Sequence, residues 1–426
     1  MSTIVVLGGG IGGLSAAFEL KDDLGDKHEI VLVSDQAHFE FTPSNPWVAV
    51  QWRKPEAIRL DLEELMPRHG IRFVGKAAKR VQPESHNILL EDDEVLPYNY
   101  LVIASGPRLA FDEIPGLGPH NGFTGSVCKT DHALLMAERF EEFCDDPGPV
   151  IVGAAQGASC YGPAYEYTFI LETELRKRKI RDRVPMTYVT PEPYIGHLGL
   201  DGVGDTKSLL ESEMRERHIK WFNNTRIDEV RDGQMAITQL RPDGGEKASH
   251  ELEFKHSMIL PAFTGIEAVM DVEGLSNPRG FIIVDDYQRN PTFPDVFAVG
   301  VCVAIPPVGA TPLPVGVPKT GYMIESMVTA TVQNIVELLD GKEPTHTATW
   351  NAFCLADFGD RGVAFMALPQ IPPRNTNWSG SGKWVHWAKI GFEKYYLRKI
   401  RQGRVEPFWE KYAMRLMGVQ KLKGAV

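Results

Sequence analysis

Thr3-Ile4-Val5-Val6-Leu7-Gly8-Gly9-Gly10-Ile11-Gly12-Gly13 is the stretch that decides the fold. Five apolar or β-branched residues make a buried strand, and Gly8, Gly10 and Gly13 supply the G-x-G-x-x-G spacing of a dinucleotide-binding turn. The first glycine permits the tight turn, the second lets the backbone approach a pyrophosphate, and the third lets the next helix pack on the strand. Gly12 lies within the same turn. Leu14 to Leu20 reads as that helix, and Ile30-Val31-Leu32-Val33 as the following strand, ending at Ser34-Asp35. The strand end makes Ser34 a ribose contact, whereas the acid expected about 20 residues after the glycines is Asp35, so both are candidates.

A second unit starts at Gly148-Pro149-Val150-Ile151-Val152-Gly153-Ala154-Ala155-Gln156-Gly157-Ala158-Ser159-Cys160. An apolar strand again runs into a small-residue turn. Ala155 and Ala158 replace the second and third fingerprint glycines, which weakens the case for a second nucleotide and leaves a thiol at the turn. Two later strands point back to the first unit. They are Tyr100-Leu101-Val102-Ile103-Ala104-Ser105-Gly106-Pro107, and Pro294-Asp295-Val296-Phe297-Ala298-Val299-Gly300. The fold class is therefore α/β with two Rossmann-like units forming a degenerate duplication. The expected order is the first half of a dinucleotide-binding domain (1–146), an inserted second unit without a working NAD site (147–265), the second half of the first domain (266–342) and a C-terminal region (343–426).

Composition narrows the class. A hydrophobic share of 43% and a charged share of 24% suit a globular chain with sizeable cores. There is no apolar run of about 18 residues for a membrane-spanning helix, and no export signal is readable at the N-terminus. Net charge is −11, but from Lys383 to Val426 eleven Lys/Arg face three Asp/Glu, a local +8 that leaves −19 elsewhere. An acidic body with a basic tail argues against nucleic acid and for a localised anionic partner. The five cysteines, at 128, 144, 160, 302 and 354, have neither metal-ligand spacing nor a disulfide-framework pattern. Cys144 and Cys302 read as structural thiols.

Cys160 precedes Gly162-Pro163, where a helix starts with proline in its first turn, and a helix N-terminus favours a thiolate. Cys128 follows a glycine-containing loop, and Cys354 lies in an aromatic stretch, Phe353 to Phe358. The chain has no close cysteine pair, so a redox partnership must be long-range.

In these features the chain resembles the sulfide:quinone oxidoreductases, flavoproteins with two dinucleotide-binding domains. The resemblance covers nearly the whole length. It is most specific at Phe41-Thr42-Pro43-Ser44-Asn45-Pro46-Trp47, Gly157 to Tyr167, Glu192-Pro193-Tyr194-Ile195-Gly196-His197-Leu198-Gly199, and Pro318 to Met327. The resemblance implies three essential cysteines at Cys128, Cys160 and Cys354. Cys160 and Cys354 would be joined by a disulfide or sulfur bridge that hydrosulfide attacks, with the freed Cys354 reducing the flavin and Cys128 aiding sulfur release. Glu166 is a candidate proton relay; His132 and His197 are weaker candidates for guiding protons or hydrosulfide. FAD would lie against Gly8, Gly10, Gly12, Gly13, Ser34, Asp35, Thr42, Pro43, Ala77, Ser105, Gly106, Gly300, Lys319 and Gly321. Lys319 and the helix after it would stabilise reduced flavin. Val301 and Cys302 stand where most relatives carry a ribitol-binding Asp. Non-covalent FAD is expected, with Cys128 the residue a thioether would use.

The C-terminal region interleaves aromatics (Trp384, Trp387, Phe392, Tyr395, Tyr396, Phe408, Trp409, Tyr412) with Lys and Arg. Aromatic–basic amphipathic helices lie in a bilayer interface. The expectation is a peripheral, monotopic membrane protein on an anionic lipid surface, taking sulfide as donor and membrane quinone as acceptor; a homo-oligomer is compatible with it. Phe358, Lys389 and Phe392 are the candidate quinone contacts. The competing readings are the flavoprotein subunit of a flavocytochrome c sulfide dehydrogenase, a type II NADH dehydrogenase and a non-catalytic flavin redox sensor.

Overall fold

The computed structural model describes residues 1–424 apart from 408, 409, 411, 413 and 415–417. The strand Thr3–Leu7 pairs in parallel with Glu29–Val33 on one side and Tyr100–Ile103 on the other. Arg72–Val74 and Val296–Ala298 extend the two edges to five parallel strands. A second parallel sheet takes its four strands in the order Ile219–Phe222, Met186–Val189, Val150–Ala154, His256–Leu260. Each unit inserts a three-stranded antiparallel meander before its returning strand, residues 78–97 in the first and 225–253 in the second. Apart from Val296–Ala298, which has no counterpart in the second sheet, the two units share one strand order, so the duplication read from the glycine turns extends through both topologies. The central strands are nearly all apolar because helices cover both faces of a parallel sheet. Ile11–Leu24, for example, packs along Gly321–Leu339.

The first glycine turn is as tight as its spacing implies. Gly8 has φ +122°, and a Cβ there would lie 2.3 Å from the Ala104 carbonyl oxygen. At Gly13 a Cβ would lie 1.8 Å from the Gly8 carbonyl oxygen, so this helix can approach its strand only without a side chain. Gly13→Ala is expected to cost at least about 1–3 kcal/mol as an overpacked site and to lose flavin. Thermal unfolding together with the protein-to-flavin absorbance ratio of the purified variant checks this; unchanged values for both would contradict it.

The C-terminal region is not helical throughout. Ala352–Asp357, Gly362–Leu368 and Thr376–Gly382 form an antiparallel meander, and the helix Lys383–Arg401 follows. Thr376–Gly382 (Thr-Asn-Trp-Ser-Gly-Ser-Gly) has the composition of a loop, and its pairing with Gly362–Leu368 makes it a strand. The basic tail is also partly interior. Buried Lys399 lies 3.0 Å from Glu325 and 3.5 Å from Glu410, and buried Lys421 lies 3.6 Å from Glu325 and 3.7 Å from Glu406. Some of the +8 therefore anchors the tail to the helix Gly321–Leu339. The outward face of Lys383–Arg401 carries Trp384, Trp387 and Phe392 with Lys383, Lys394 and Arg398, and Trp378 is exposed nearby. Phe408 and Trp409, expected on a second amphipathic segment, lie outside the described residues; Tyr412 is exposed. Among the described residues no helix is long and apolar enough to cross a membrane.

Candidate active site

Three cysteines that are far apart in sequence come within electrostatic reach, since Cys160 senses the sulfurs of both Cys128 and Cys354. Cys160 sits just before the helix Gly162–Lys177, Cys354 within the strand Ala352–Asp357, and Cys128 just before the helix Thr130–Asp145. Burial pushes the Cys160 thiol up to about 12, and the sulfurs of Cys128 and Cys354 and the Glu166 carboxylate push it the same way. Burial likewise raises Cys354 to about 12 and Cys128 to about 11. This corrects the expectation that the helix N-terminus makes Cys160 a thiolate: the Gly162 amide does favour the anion, but desolvation outweighs it. The neighbours still distinguish the pair. Lys389 favours the Cys354 anion, Glu166 opposes ionisation of both Cys354 and Cys160, and Lys319 is the cation that senses the Cys160 sulfur.

The most specific sequence stretches prove to be the braces of this cluster. Asn45 donates from Nδ2 to the Val127 carbonyl (3.1 Å) and accepts from the Thr130 hydroxyl (3.0 Å), which fixes both sides of Cys128. Trp47 Nε1 donates to Asp357 Oδ2 (2.7 Å), and the Ser44 hydroxyl to Glu393 (2.5 Å), so the same short segment also holds the Cys354 strand and the C-terminal helix. Glu192 is fully buried, accepts from Tyr165 Oη, Thr190 Oγ1 and the Leu198 amide, and is raised by burial to about 7. It thereby ties the loop after Met186–Val189 to the helix that Cys160 precedes. His197, a weaker candidate for guiding protons or hydrosulfide, is buried, accepts from the Gly199 amide (3.2 Å) and is held below the usual imidazole range by burial. It is part of the loop's own bracing.

Glu166 is not a surface carboxylate. It is buried, accepts from Lys389 Nζ (2.7 Å) and from the Asp357 amide (2.7 Å), and is raised by burial against the opposing pull of Lys389. Lys389 also donates to the Leu355 carbonyl (3.2 Å), next to Cys354. Asp357 in turn accepts from Trp47 and the Gly359 amide, and its Oδ1 lies 2.8 Å from His386 Nδ1.

The first unit fits a dinucleotide. Positions Gly10, Gly106 and Gly321 have nothing within 4 Å of where a Cβ would stand, unlike the packed Gly8 and Gly13. The helices beginning at Ile11 and Gly321 have no side-chain cap, so their first amides are available to an anion. Ser34 is buried and accepts from the Gln36 amide (3.1 Å), and Asp35 is exposed. Ser105 and Gly106 follow the returning strand; Gly300 follows Val296–Ala298 with φ +83°. Thr42 and Pro43 open a short 3-10 turn. Ala77 is the exception, since its amide and carbonyl are both engaged by Glu91. Lys319 is lowered by burial to about 8 and senses the sulfurs of Cys302 and Cys160, which puts this cation at the boundary between the glycine-lined slot and the thiols. Cys302 is buried and donates to the carbonyls of Ile103 (3.3 Å) and Val299 (3.2 Å), as a structural thiol does.

The second turn is closed. The Gly157 amide donates to the Pro314 carbonyl (2.8 Å), the Gly316 amide to the Ala158 carbonyl (2.9 Å) and the Ala155 amide to the Leu260 carbonyl (2.8 Å). The proline-rich run 305–318, a bare connection in the sequence, thus takes up the Gly157 amide that a pyrophosphate would need and closes on the turn through Gly316.

Comparison with known proteins agrees with this arrangement. The pyridine nucleotide-disulphide oxidoreductase family matches residues 2–333. The sulfide-quinone reductase of Aquifex aeolicus is 39% identical over 97% of this chain and 94% of its own length. The chain belongs to the sulfide-quinone reductase family. The X-ray structure of the Aquifex aeolicus sulfide:quinone oxidoreductase superposes with a TM-score of 0.94, at 38% identity, over 100% of this chain and 98% of that one. The NDH2 of Plasmodium falciparum, solved with NADH, shares the fold alone, with a TM-score of 0.71 and 14% identity over 99% and 100% of the two chains.

Within a sulfide-quinone reductase, the three candidate quinone contacts separate. Lys389 is buried beside Glu166 and the Cys354 strand. Phe392 is partly exposed, with its ring 6.1 Å from Phe41 and 5.8 Å from Tyr396. Phe358 is a correction: it is fully buried with the Phe169 ring 4.2 Å away, a core contact rather than a pocket wall. The sequence reading missed Phe353, half-buried beside Cys354 with its ring 5.5 Å from Tyr322, and the Asp357–His386 pair. Phe353 had a local signal, since it adjoins the cysteine; His386 had none, because Asp357 is 29 residues away.

Proposed function

We propose that this protein oxidises hydrogen sulfide to polysulfide or elemental sulfur and passes the electrons through FAD to a membrane quinone. The observation that carries this reading is the convergence of Cys128, Cys160 and Cys354 beside a glycine-lined slot whose counterpart in the second unit is filled by its own chain. When bound, FAD accepts an electron pair from sulfur and delivers it to quinone. Gly8, Gly10, Gly12, Gly13, Ser34, Ser105, Gly106, Gly300 and Gly321 would hold it, and the Lys319 cation would offset the charge it gains.

Starting from a sulfur bridge between Cys160 and Cys354, HS⁻ attacks the Cys160 sulfur; an S–S bond to Cys160 forms and its bond to Cys354 breaks. Cys160 then carries a persulfide and Cys354 a thiolate. The family resemblance supports this assignment, and Lys389 would favour the anion on Cys354 much as Lys319 faces the Cys160 sulfur. Closing a longer bridge between the Cys160 and Cys354 sulfurs would release one proton and an electron pair, which is the pair a bound FAD would take up. Over the cycle HS⁻, quinone and H⁺ become sulfur and quinol. Glu166, paired with Lys389 next to Cys354, would hold or pass the protons. Cys128 would receive or release the growing sulfur chain.

Residues 1–146 and 266–342 would form the FAD domain, 147–265 a second domain without nucleotide, and 343–426 the quinone and membrane side. The exposed Trp378, Trp384, Trp387 and Phe392 among Lys383, Lys394 and Arg398 support an interfacial surface on anionic lipid.

Anaerobic stopped-flow absorbance tests the reading. Sulfide is expected to bleach the flavin rapidly, a short-chain quinone to restore it, and NADH to do neither on that timescale. Bleaching by NADH with no response to sulfide would refute it and would mean that the second turn opens to a nucleotide.

A further inference from the structure

The first turn of the helix Thr130–Asp145 carries two metal-ligating side chains, Asp131 and the His132 also named as a candidate proton or hydrosulfide guide, and a neighbouring loop supplies a third. The ligand-bearing atoms of His120, Asp131 and His132 all lie within 4.8 Å of one another. His120 and Asp131 are exposed, but His132 is only 5% exposed, and its Nδ1 is shielded from water with no hydrogen-bond partner. A buried polar nitrogen without a partner costs roughly 1–3 kcal/mol, which a bound ion would remove. The His120 and His132 rings stand edge to face with centroids 5.2 Å apart, and Phe111 covers His132 from another side at 5.8 Å.

The cluster is held from outside. Arg139, two turns further along the same helix, donates to the Pro119 carbonyl (2.9 Å), and the Gly118 amide donates to Thr124 Oγ1 (3.0 Å), so the loop bearing His120 is fastened on both sides of it. Asp131 Oδ1 accepts from the His132 amide (2.9 Å), which orients the carboxylate and leaves its other oxygen for a ligand.

We propose that His120, Asp131 and His132 form a binding site for a divalent transition metal of the zinc class. Two imidazoles and one carboxylate favour Zn²⁺ or Co²⁺ over the oxygen-seeking Mg²⁺ and Ca²⁺. Three protein ligands leave a fourth position for water. Zinc ligands at about 2.0–2.1 Å from the ion lie closer together than the 4.8 Å limit, and the exposed His120 side chain supplies the movement. The bound ion would clamp the 111–123 loop to the helix that begins two residues after Cys128. The site is independent of the sulfide-oxidation reading.

The test uses the full-length, flavin-loaded protein, stripped with chelator and kept free of sulfide, titrated with zinc chloride by isothermal calorimetry. One zinc per chain is expected. His120→Ala and Asp131→Asn are each expected to weaken it on the order of 10- to 100-fold or more, while His250→Ala, on the second domain's meander, leaves it unchanged. Both test positions are exposed, so the variants are expected to fold, which their flavin spectra check. Cobalt(II) should add tetrahedral d–d bands at wavelengths beyond the flavin absorption, and His120→Ala should abolish them. The absence of saturable zinc binding, or binding unaffected by His120→Ala and Asp131→Asn, would overturn the site.

Discussion

Cys354→Ala is expected to slow bleaching of the flavin by sulfide by about 10³-fold or more, the scale on which a covalent catalytic group is lost, and to leave the oxidised flavin spectrum intact. The side chain is small and only partly enclosed, and its strand is held by pairing with Gly362–Leu368 and by the buried Asp357 contacts, none of which uses the sulfur. The loss should therefore fall on chemistry and not on folding. Cys160→Ala is expected to lose bleaching to the same extent, since either substitution prevents the bridge. The combined Cys160→Ala/Cys354→Ala variant should be no slower than either alone, the non-additivity expected of groups that act as one unit. Single-turnover stopped-flow on the three variants measures this. Near wild-type bleaching in Cys354→Ala would remove the two-cysteine chemistry, and losses that multiply in the double variant would mean that the two thiols act in separate steps.

What could be read from the sequence was whatever has a local cause. The Gly8–Gly13 turn announces itself because a tight strand–helix crossing excludes side chains, and Gly13 meets the Gly8 oxygen just as that reasoning requires. The loss of the second fingerprint at Ala155 and Ala158 was visible, but the physical closure was not, because the run that fills the turn lies about 150 residues downstream. The three thiols stood out by local context and the family resemblance gave them a joint role; their convergence depends on contacts such as Asn45 to Thr130 and Trp47 to Asp357, which span 85 and 310 residues. Burial decided the rest. Helix-terminus reasoning gave Cys160 a low pKa, and desolvation reversed the sign. An aromatic to sandwich a quinone ring was expected at Phe358, and packing on Phe169 made it core. Basic residues interleaved with aromatics suggested lipid headgroups and, at Lys389, a quinone, yet Lys389 and Lys399 each turn inward to a carboxylate.

Lys389→Met is expected to be the most damaging of the substitutions that leave every cysteine in place. Its ammonium lies 2.7 Å from Glu166, and both side chains are almost fully buried. Removing one partner of such a pair costs about 3–5 kcal/mol, because the remaining charge has neither water nor counter-ion. The cost should depend on pH. Burial already raises the Glu166 carboxyl above the ordinary carboxylate range, and Lys389 is the largest influence opposing that rise. Without Lys389 the folded-state pKa climbs further. A carboxyl raised on folding contributes stability that is complete below its unfolded pKa and is lost as pH rises through its folded pKa. The deficit of Lys389→Met against wild type should therefore be small at mildly acidic pH and grow across neutrality. Adding Glu166→Gln removes the stranded charge, so the double variant should recover most of the stability and lose the pH dependence. Activity should not follow. Without the ammonium, the Cys354 thiolate loses the cation that favours it, so bleaching by sulfide stays slow in the double variant, and reoxidation by quinone stays slow for want of the Glu166 proton. Denaturant unfolding across pH, run beside the two half-reactions, separates these effects. A pH-independent deficit would show that Lys389 acts through its packed alkyl chain, and recovery of both half-reactions in the double variant would show that the pair serves only to hold the helix Lys383–Arg401 against the Cys354 strand.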